Sequence, residues 1–373
     1  MRGGEKCLEV FCELFPQAHV FTLVHCPGTV SSVIERATIH TSFIDSLPFS
    51  HRLYRHFLPL FPRAIERFDF TDYDLILSSS HCVAKSAKRR PGTLHISYVY
   101  TPMRYAWDLY QSYFGDGSPG WLARSIAPAI MRRLRDWDRA TAERVDCFLA
   151  VSHHVADRIR RNYGRSSCVI HPPVDTGRFA VSSRIEDYYL IVSALVPYKR
   201  IDVAIRSFND LGLPLKIAGS GPEFRRLKKM AGPAIEFLGH VSDQDLPGLY
   251  AHCRALVFPG EEDFGIVPLE AQAAGRPVVA YGKGGALETV IPLNPGGENP
   301  LQRNSATGIF FYQQNAAALT SAVRKMEENL SRFSPELLRA QALRFDRRVF
   351  EARILEFIGR EWTRFQSRLE SMT

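Results

Sequence analysis

The chain has 373 residues, 45% of them hydrophobic and 23% charged, proportions that suit a folded protein and exclude a disordered or collagen-like one. That length exceeds one ordinary core and predicts two domains. The formal charge of +8 is uneven, with 23 basic against 17 acidic residues up to position 178 and 24 against 22 beyond it, so the first half is expected to face something anionic: a membrane surface, a phosphorylated ligand or a nucleic acid.

In chain order, the first half shows β-rich runs at 19–24, 74–78, 94–100, 145–151 and 168–171. The helical pattern at 126–145 carries Ile126, Ile130, Leu134, Trp137 and Val145 near one face, with Arg132, Arg133, Arg135 and Arg139 around it. Such a helix can lie on an anionic membrane or pack its apolar stripe on the sheet, and the second use is favoured. Lys85, Lys88, Arg89 and Arg90 can serve the first of these uses as well. "HPPVDTGRF" at 171–179 reads as a domain connection, because Pro172-Pro173 removes two donors and fixes an extended path. The second half alternates more clearly, with strand runs at 188–194, 214–219, 234–239, 255–259 and 276–281 and helical patterns at 201–211, 222–231, 243–253 and 266–275. Strands alternating with helices predict parallel sheets. The tail, 346–366, is a charged helical pattern. The expected architecture is α/β: two doubly wound domains facing a cleft, at 1–178 and 179–345, with a closing helix at 346–373.

Seven scattered cysteines without a Cys-x-x-Cys pair argue against a disulfide framework or a zinc site and fit a reducing cytoplasm. No apolar run approaches the roughly 18 residues of a membrane span, and "MRGGEKCLEV" has no signal-peptide core, so membrane contact is expected to be peripheral. Asp136-Trp137-Asp138 imitates a metal motif, but residues two apart on a helix point away from each other. "GSG" at 219–221 is too short to indicate a dinucleotide, and nothing completes a metal set around His153-His154.

The chemistry concentrates in "GEEDFGIVPLEAQAAGRPVVAYGKGGALETV", 260–290. Pro268 favours the first position of a helix, which would set Glu270 near the third, where the helix dipole favours a carboxylate. Such a carboxylate accepts two hydrogen bonds, as a ribose diol would supply. Free backbone N–H groups around Phe264, Ile266 and Val267 form an anion site, and Gly265 keeps the backbone bare for a ligand. Glu262 stands ready to meet the other end of that ligand. Lys199, in the loop after the first strand of the second domain, would neutralise a diphosphate leaving group, with Arg200 either assisting or facing solvent.

These residues resemble a family 4 glycosyltransferase of the GT-B fold, most closely the bacterial mannosyltransferase-like subgroup that builds O-antigens and exopolysaccharides. The match runs through "SSSHCVAK" (78–85), "TPMRYAWD" (101–108), "VIHPPVDTGRF" (169–179), "SALVPYKRID" (193–202), "IAGSGPE" (217–223), "IEFLGHVSD" (235–243, with His240 on the donor side) and "FPGEEDFGIVPLEAQAAGRPVVAYGKGGALETV" (258–290). The resemblance implies a retaining enzyme moving a sugar, most plausibly mannose from GDP-mannose, to a lipid-linked saccharide acceptor, with no cofactor, catalytic metal or nucleic-acid partner. It implies that Glu270 binds the donor ribose, Glu262 the transferred sugar and Lys199 the diphosphate. The N-terminal domain would hold the acceptor and the last helix would cross back to it.

Three positions depart from the family pattern. Ala194 stands where an Arg often accompanies the Lys. Tyr100 stands where a His often reaches the donor sugar; it is assigned to the catalytic set, although an ordinary pKa near 10 suits a proton shuttle poorly. The chain opens at "MRGGEK", so Gly3 and Gly4 resemble the donor-phosphate turn with its strand missing. A start upstream of Met1 is the expectation, and an impaired variant the alternative. A catalytically silent nucleotide-sugar-binding protein is the rival from another class; an epimerase or a sucrose-synthase-like enzyme is the rival within catalysis.

Overall fold

The structure, a computed structural model, describes residues 3–103, 107, 121–293 and 305–371, with backbone only at 55 and 121–127. Of the quoted motifs, positions 104–106 and 108 of "TPMRYAWD" and the side chain of Ile126 lie outside the described residues. The chain divides into two units, Met1–His171 with Phe350–Thr373, and Pro172–Val349.

In the first unit, helix α1 (Gly3–Leu14) precedes strands β1 (Val20–Thr22) and β2 (Ile39–Thr41), which pair in parallel as a separate ribbon. A four-stranded parallel sheet follows, ordered β3 (Leu75–Ser80), β4 (Leu94–Val99), β5 (Cys147–Ala150), β6 (Cys168–Val169). β4 is buried along its whole length, as a parallel strand covered on both faces must be. Gly3 and Gly4, read as a turn, instead open α1. That helix buries Cys7, Val10 and Phe11, and Phe11 meets Tyr98 and Phe350, each at 5.7 Å between ring centroids. Phe350 belongs to the closing helix, Arg347–Glu370, which also buries Ile354, Phe357, Ile358 and Phe365.

Of the cations considered for a membrane-facing surface, Lys85 is spent inside this unit, whereas Lys88 and Arg90 stay exposed. Lys85 is 1% exposed; its amine pairs with Asp138 at 3.0 Å and bonds the Asp138 carbonyl and Thr141 Oγ1. Asp138, the second acid of the Asp-Trp-Asp run, also accepts from Trp107 Nε1 and Tyr163 Oη, both at 2.8 Å. Burial pushes the Lys85 amine below the usual lysine range, against the pull of Asp138. Lys88, Arg89 and Arg90 pair with Glu66, Asp146 and Asp74. Helix α2 (Trp121–Ala140) turns Met131 and Leu134 into the core, with Ile130 and Trp137 packed against it and Arg132 and Arg133 exposed. Its apolar stripe is therefore used internally.

His95, on β4, is fully buried between Ser78 Oγ (2.9 Å) and the Arg144 carbonyl (3.2 Å), and burial lowers its pKa from 6.5 to about 3. A folded-state pKa below the unfolded value gives stability that is complete above pH 6.5 and lost as pH falls toward 3. Between pH 6.5 and 5, where carboxylates remain ionised, this histidine is expected to cost about 1.4 kcal/mol per pH unit. Thermal melts across that window should show the slope, and His95→Gln should flatten it.

In the second unit, six strands, β7 (Tyr189–Val192), β8 (Leu215–Ala218), β9 (Ile235–Gly239), β10 (Leu256–Phe258), β11 (Val278–Tyr281) and β12 (Gly308–Phe311), form one parallel sheet ordered β12-β11-β10-β7-β8-β9. β12 was not anticipated from the sequence. Helix α3 (Ile201–Leu211) buries Ile201, Val203, Ala204, Ile205 and Phe208, and Gly212 ends it in a left-handed turn. No helix among the described residues is long and apolar enough to cross a membrane.

Candidate functional site

In the second unit β7, β8 and β9 are laid down in one direction and β10, β11 and β12 in the other, so the order reverses between neighbours β7 and β10. Loops leaving the carboxyl ends of such a pair diverge and open a crevice where doubly wound sheets bind ligands. The loop after β7 ends in a tight turn, Pro197–Lys199; the loop after β10 carries Glu262. The two loops meet in a Lys199–Glu262 salt bridge whose side chains are 19% and 17% exposed. Gly260 permits this approach, since a Cβ there would lie 3.0 Å from Lys199 Cα. On the other side, Gly285 N–H donates to the Glu262 carbonyl at 2.8 Å, and a Cβ on Gly285 would stand 2.2 Å from Phe264 Cα. Only glycine lets these loops hold the acid at this spacing.

Arg200 caps α3 in a left-handed conformation (φ 53°), with Nε on Asp202 at 3.2 Å and a terminal nitrogen on Gln314 Oε1 at 3.1 Å. Gln314 donates in turn to the Pro259 carbonyl at 2.9 Å, which completes a polar brace between the two loops. Ala194 is exposed at the end of β7. With Arg200 so engaged, the cation that faces Glu262 is Lys199. Neither Asp202 nor Gln314 was singled out from the sequence; Gln314 in particular stands in a polar loop with no local signal.

Helix α4 (Ile266–Ala273) starts where the 266–275 pattern does, two residues before the start that Pro268 at a first position would give. Gly265 enters it at φ 95°, a conformation open to glycine, so Pro268 occupies the third helical position and Glu270 the fifth. The amide N–H groups of Ile266 and Val267 therefore lie in the first turn, where helix geometry supplies no partner. Glu270 lies beyond that turn and owes less to the dipole than its predicted place implied. A hydrogen bond holds it instead: Tyr250 Oη donates to Oε2 at 2.7 Å, and Glu270 is 7% exposed. Burial, then the adjacent carboxylate, raise the Tyr250 pKa well above the usual range, so the tyrosine stays a donor. The sequence offered no clue to Tyr250, which sits on Leu246–His252 as an ordinary core position.

The other predicted residues spread out. The Phe264 side chain is buried against Phe345 at 5.8 Å, so only its backbone faces the loop. His240 is exposed at the end of β9, the outer strand, two strands from β7. Tyr100 and Gly4 belong to the first unit and meet there: Tyr100 Oη donates to the Gly4 carbonyl at 3.2 Å and bonds Ser79 Oγ at 2.9 Å. Burial, then Cys7, raise the Tyr100 pKa well above its usual value, which keeps its proton in place. Among the described residues no group of three or more His, Cys, Asp or Glu is placed to hold a metal ion.

A cation clamped to a carboxylate, a second acid and first-turn amides, all on the loops of one switch point, can take a ligand that is anionic at one end and hydroxylated at the other. Parallel sheets in both units, one with this order, define a Rossmann-type α/β protein of GT-B architecture. Family models match in tandem, "Glycosyltransferase Family 4" over residues 1–178 and "Glycosyl transferases group 1" over 180–339, and the chain belongs to the family 4 glycosyltransferases.

Among curated proteins the chain is similar to a GDP-mannose-dependent alpha-(1-6)-phosphatidylinositol monomannoside mannosyltransferase of Mycolicibacterium smegmatis, 30% identical over 46% of this chain and 52% of that protein. It is also similar to the O-antigen chain mannosyltransferase RfbU of Salmonella typhimurium, 31% identical over 38% and 43%. The chain spans about half the length of the curated relatives it matches. Of solved structures, HepE of Anabaena in complex with UDP superposes with a TM-score of 0.68 over 96% of each chain at 18% identity. Sucrose-phosphate synthase of Thermosynechococcus elongatus gives 0.73 over 96% and 92% at 17%. At that identity the likeness concerns the fold.

Proposed function

We propose that this protein is a retaining hexosyltransferase that moves mannose from GDP-mannose to a lipid-linked glycan, at the inner face of the cytoplasmic membrane and without a catalytic metal. The observation that carries the reading is the Lys199–Glu262 pair at the β7/β10 switch point, with Glu270 on the helix that follows. The activities named for the similar mycobacterial and Salmonella proteins support the donor and the glycan context.

The donor diphosphate takes over the Lys199 amine and the first-turn amides of α4, and Glu262, released, accepts from hydroxyls of the sugar. Glu270, oriented by Tyr250, accepts from the ribose diol. The bond between the sugar C1 and the diphosphate oxygen breaks, GDP leaves with its charge compensated by Lys199, and the acceptor hydroxyl oxygen bonds C1 on the same face as its proton passes to the departing diphosphate oxygen. Tyr100, its hydroxyl already committed, takes no proton in this scheme.

Release of nucleoside diphosphate from GDP-, UDP- and ADP-sugars, with lipid-linked saccharides present and with or without a chelator, tests the reading. GDP-mannose should turn over fastest, unaffected by chelator, and give the α-linked product. One alternative has a specific observation behind it: a silent nucleotide-sugar binder, favoured by Ala194 and by the committed Tyr100 hydroxyl. Binding of donor without release from any sugar would establish it.

A further inference from the structure

The β1–β2 ribbon of the first unit gathers three ligand-type atoms that the donor chemistry does not use. His19 stands immediately before β1, His40 at the centre of β2 and Tyr73 shortly before β3. His40 Nε2 lies 3.1 Å from His19 Nδ1, and Tyr73 Oη lies 2.6 Å from the same nitrogen. Packing holds the set in place. Phe21, paired with His40 in the ribbon register, stacks on the imidazole at 4.6 Å between centroids. Phe21 is in turn met edge-on by Phe68, Phe70 and Tyr73, so the rings that present these atoms are fixed by their neighbours. His19 is exposed and His40 half-buried, which leaves the set open to solvent ions.

Hydrogen bonding alone leaves this arrangement over-subscribed. A ring nitrogen of a neutral imidazole offers either one hydrogen or one lone pair, yet His19 Nδ1 has two partners at hydrogen-bond distance. A cation removes the conflict, because all three atoms can turn a lone pair toward it. With each nitrogen about 2.1 Å from a metal, their 3.1 Å separation corresponds to a ligand angle of about 95°, within reach of ordinary coordination. Tyr73 Oη needs to retreat by a few tenths of an ångström to take a third position. Asp72, exposed beside Tyr73, adds negative charge near the set. The phenol as third donor distinguishes it from the groups of three His, Cys, Asp or Glu that the described residues lack. We propose that His19, His40 and Tyr73 bind one divalent cation of the imidazole-preferring kind, such as Zn2+, with a further position left to water. The ion clips the ribbon to the entry of β3, which stabilises a two-stranded element that is marginal by itself. All three residues belong to the first unit and the donor residues to the second, so the ion has no part in sugar transfer.

The test is calorimetric titration of the untagged full chain, without donor, with ZnCl2 and, as a hard-cation control, MgCl2. One equivalent of Zn2+ should bind, and Mg2+ should not. His19→Gln and His40→Gln should each weaken Zn2+ binding about tenfold or more. Tyr73→Phe keeps its ring against Phe21 and should weaken it by less. Because His19 is exposed, His19→Gln should melt like wild type in the absence of metal, which separates a lost ligand from a lost fold. No Zn2+ binding, or binding that survives both histidine substitutions, would overturn the site. Several equivalents bound alike by wild type and both variants would overturn it too, as an adventitious ion only. Binding is read without turnover, so the failure of this proposal and the failure of the transferase reading remain separate results.

Discussion

Lys199→Ala is expected to lower kcat for donor turnover by about 10²- to 10³-fold, the usual effect of losing one preorganised charge at a leaving group. Three features set this magnitude. Ala194 offers no second charge, Arg200 is tied to Asp202 and Gln314, and Lys283, on the loop after β11, is paired with Glu261. The amine is held by Glu262 before any ligand arrives, so little reorganisation is needed when a diphosphate replaces that carboxylate. Lys199→Arg should recover only part of the rate, since a planar fork does not replace a compact ammonium in a site built around Gly260. Steady-state kinetics with GDP-mannose, read as separate kcat and KM effects, checks this. A change confined to KM would move Lys199 from leaving-group stabilisation to ground-state binding.

Lys85→Met is expected to destabilise the protein by about 3–5 kcal/mol, because it strands the Asp138 carboxylate in a site with no exposure. The double substitution Lys85→Met with Asp138→Asn should recover at least half of that loss. It removes both charges and leaves an amide oxygen for Trp107 and Tyr163. Denaturant unfolding of the four members of the cycle measures the coupling. Additive effects would mean that Lys85 acts through its other contacts, Thr141 and the Tyr163 ring.

This pair also marks where the sequence stopped being readable. Lysines are rarely buried, and Lys85 has its partner 53 residues away, so a run of Lys85, Lys88, Arg89 and Arg90 reads as surface by local inspection. Strands such as Tyr189–Val192 and Val278–Tyr281 were legible because burial on both faces makes them continuous apolar runs. Ile39–Thr41 was not, being partly exposed with the polar His40 at its centre, and Gly308–Phe311, which opens on a glycine, was also missed. Within helix α4 Pro268 stands third and not first, because the left-handed entry at Gly265 sets the start two residues before the one the preference of proline would give. The motif around Glu262 and Glu270 was visible since its parts are contiguous. Tyr250 and Gln314 reach the site from elsewhere, and only the fold brings them there.

The central claim is that Lys199 and Glu270 hold opposite ends of one ligand. Calorimetric titration of the full chain with GDP and with guanosine, for wild type, Lys199→Ala and Glu270→Ala, tests it most directly. Wild type should prefer GDP strongly, Lys199→Ala should lose most of that preference while keeping its affinity for guanosine, and Glu270→Ala should weaken both ligands alike. Unchanged GDP binding in both variants, or a loss of guanosine binding in Lys199→Ala, would contradict it.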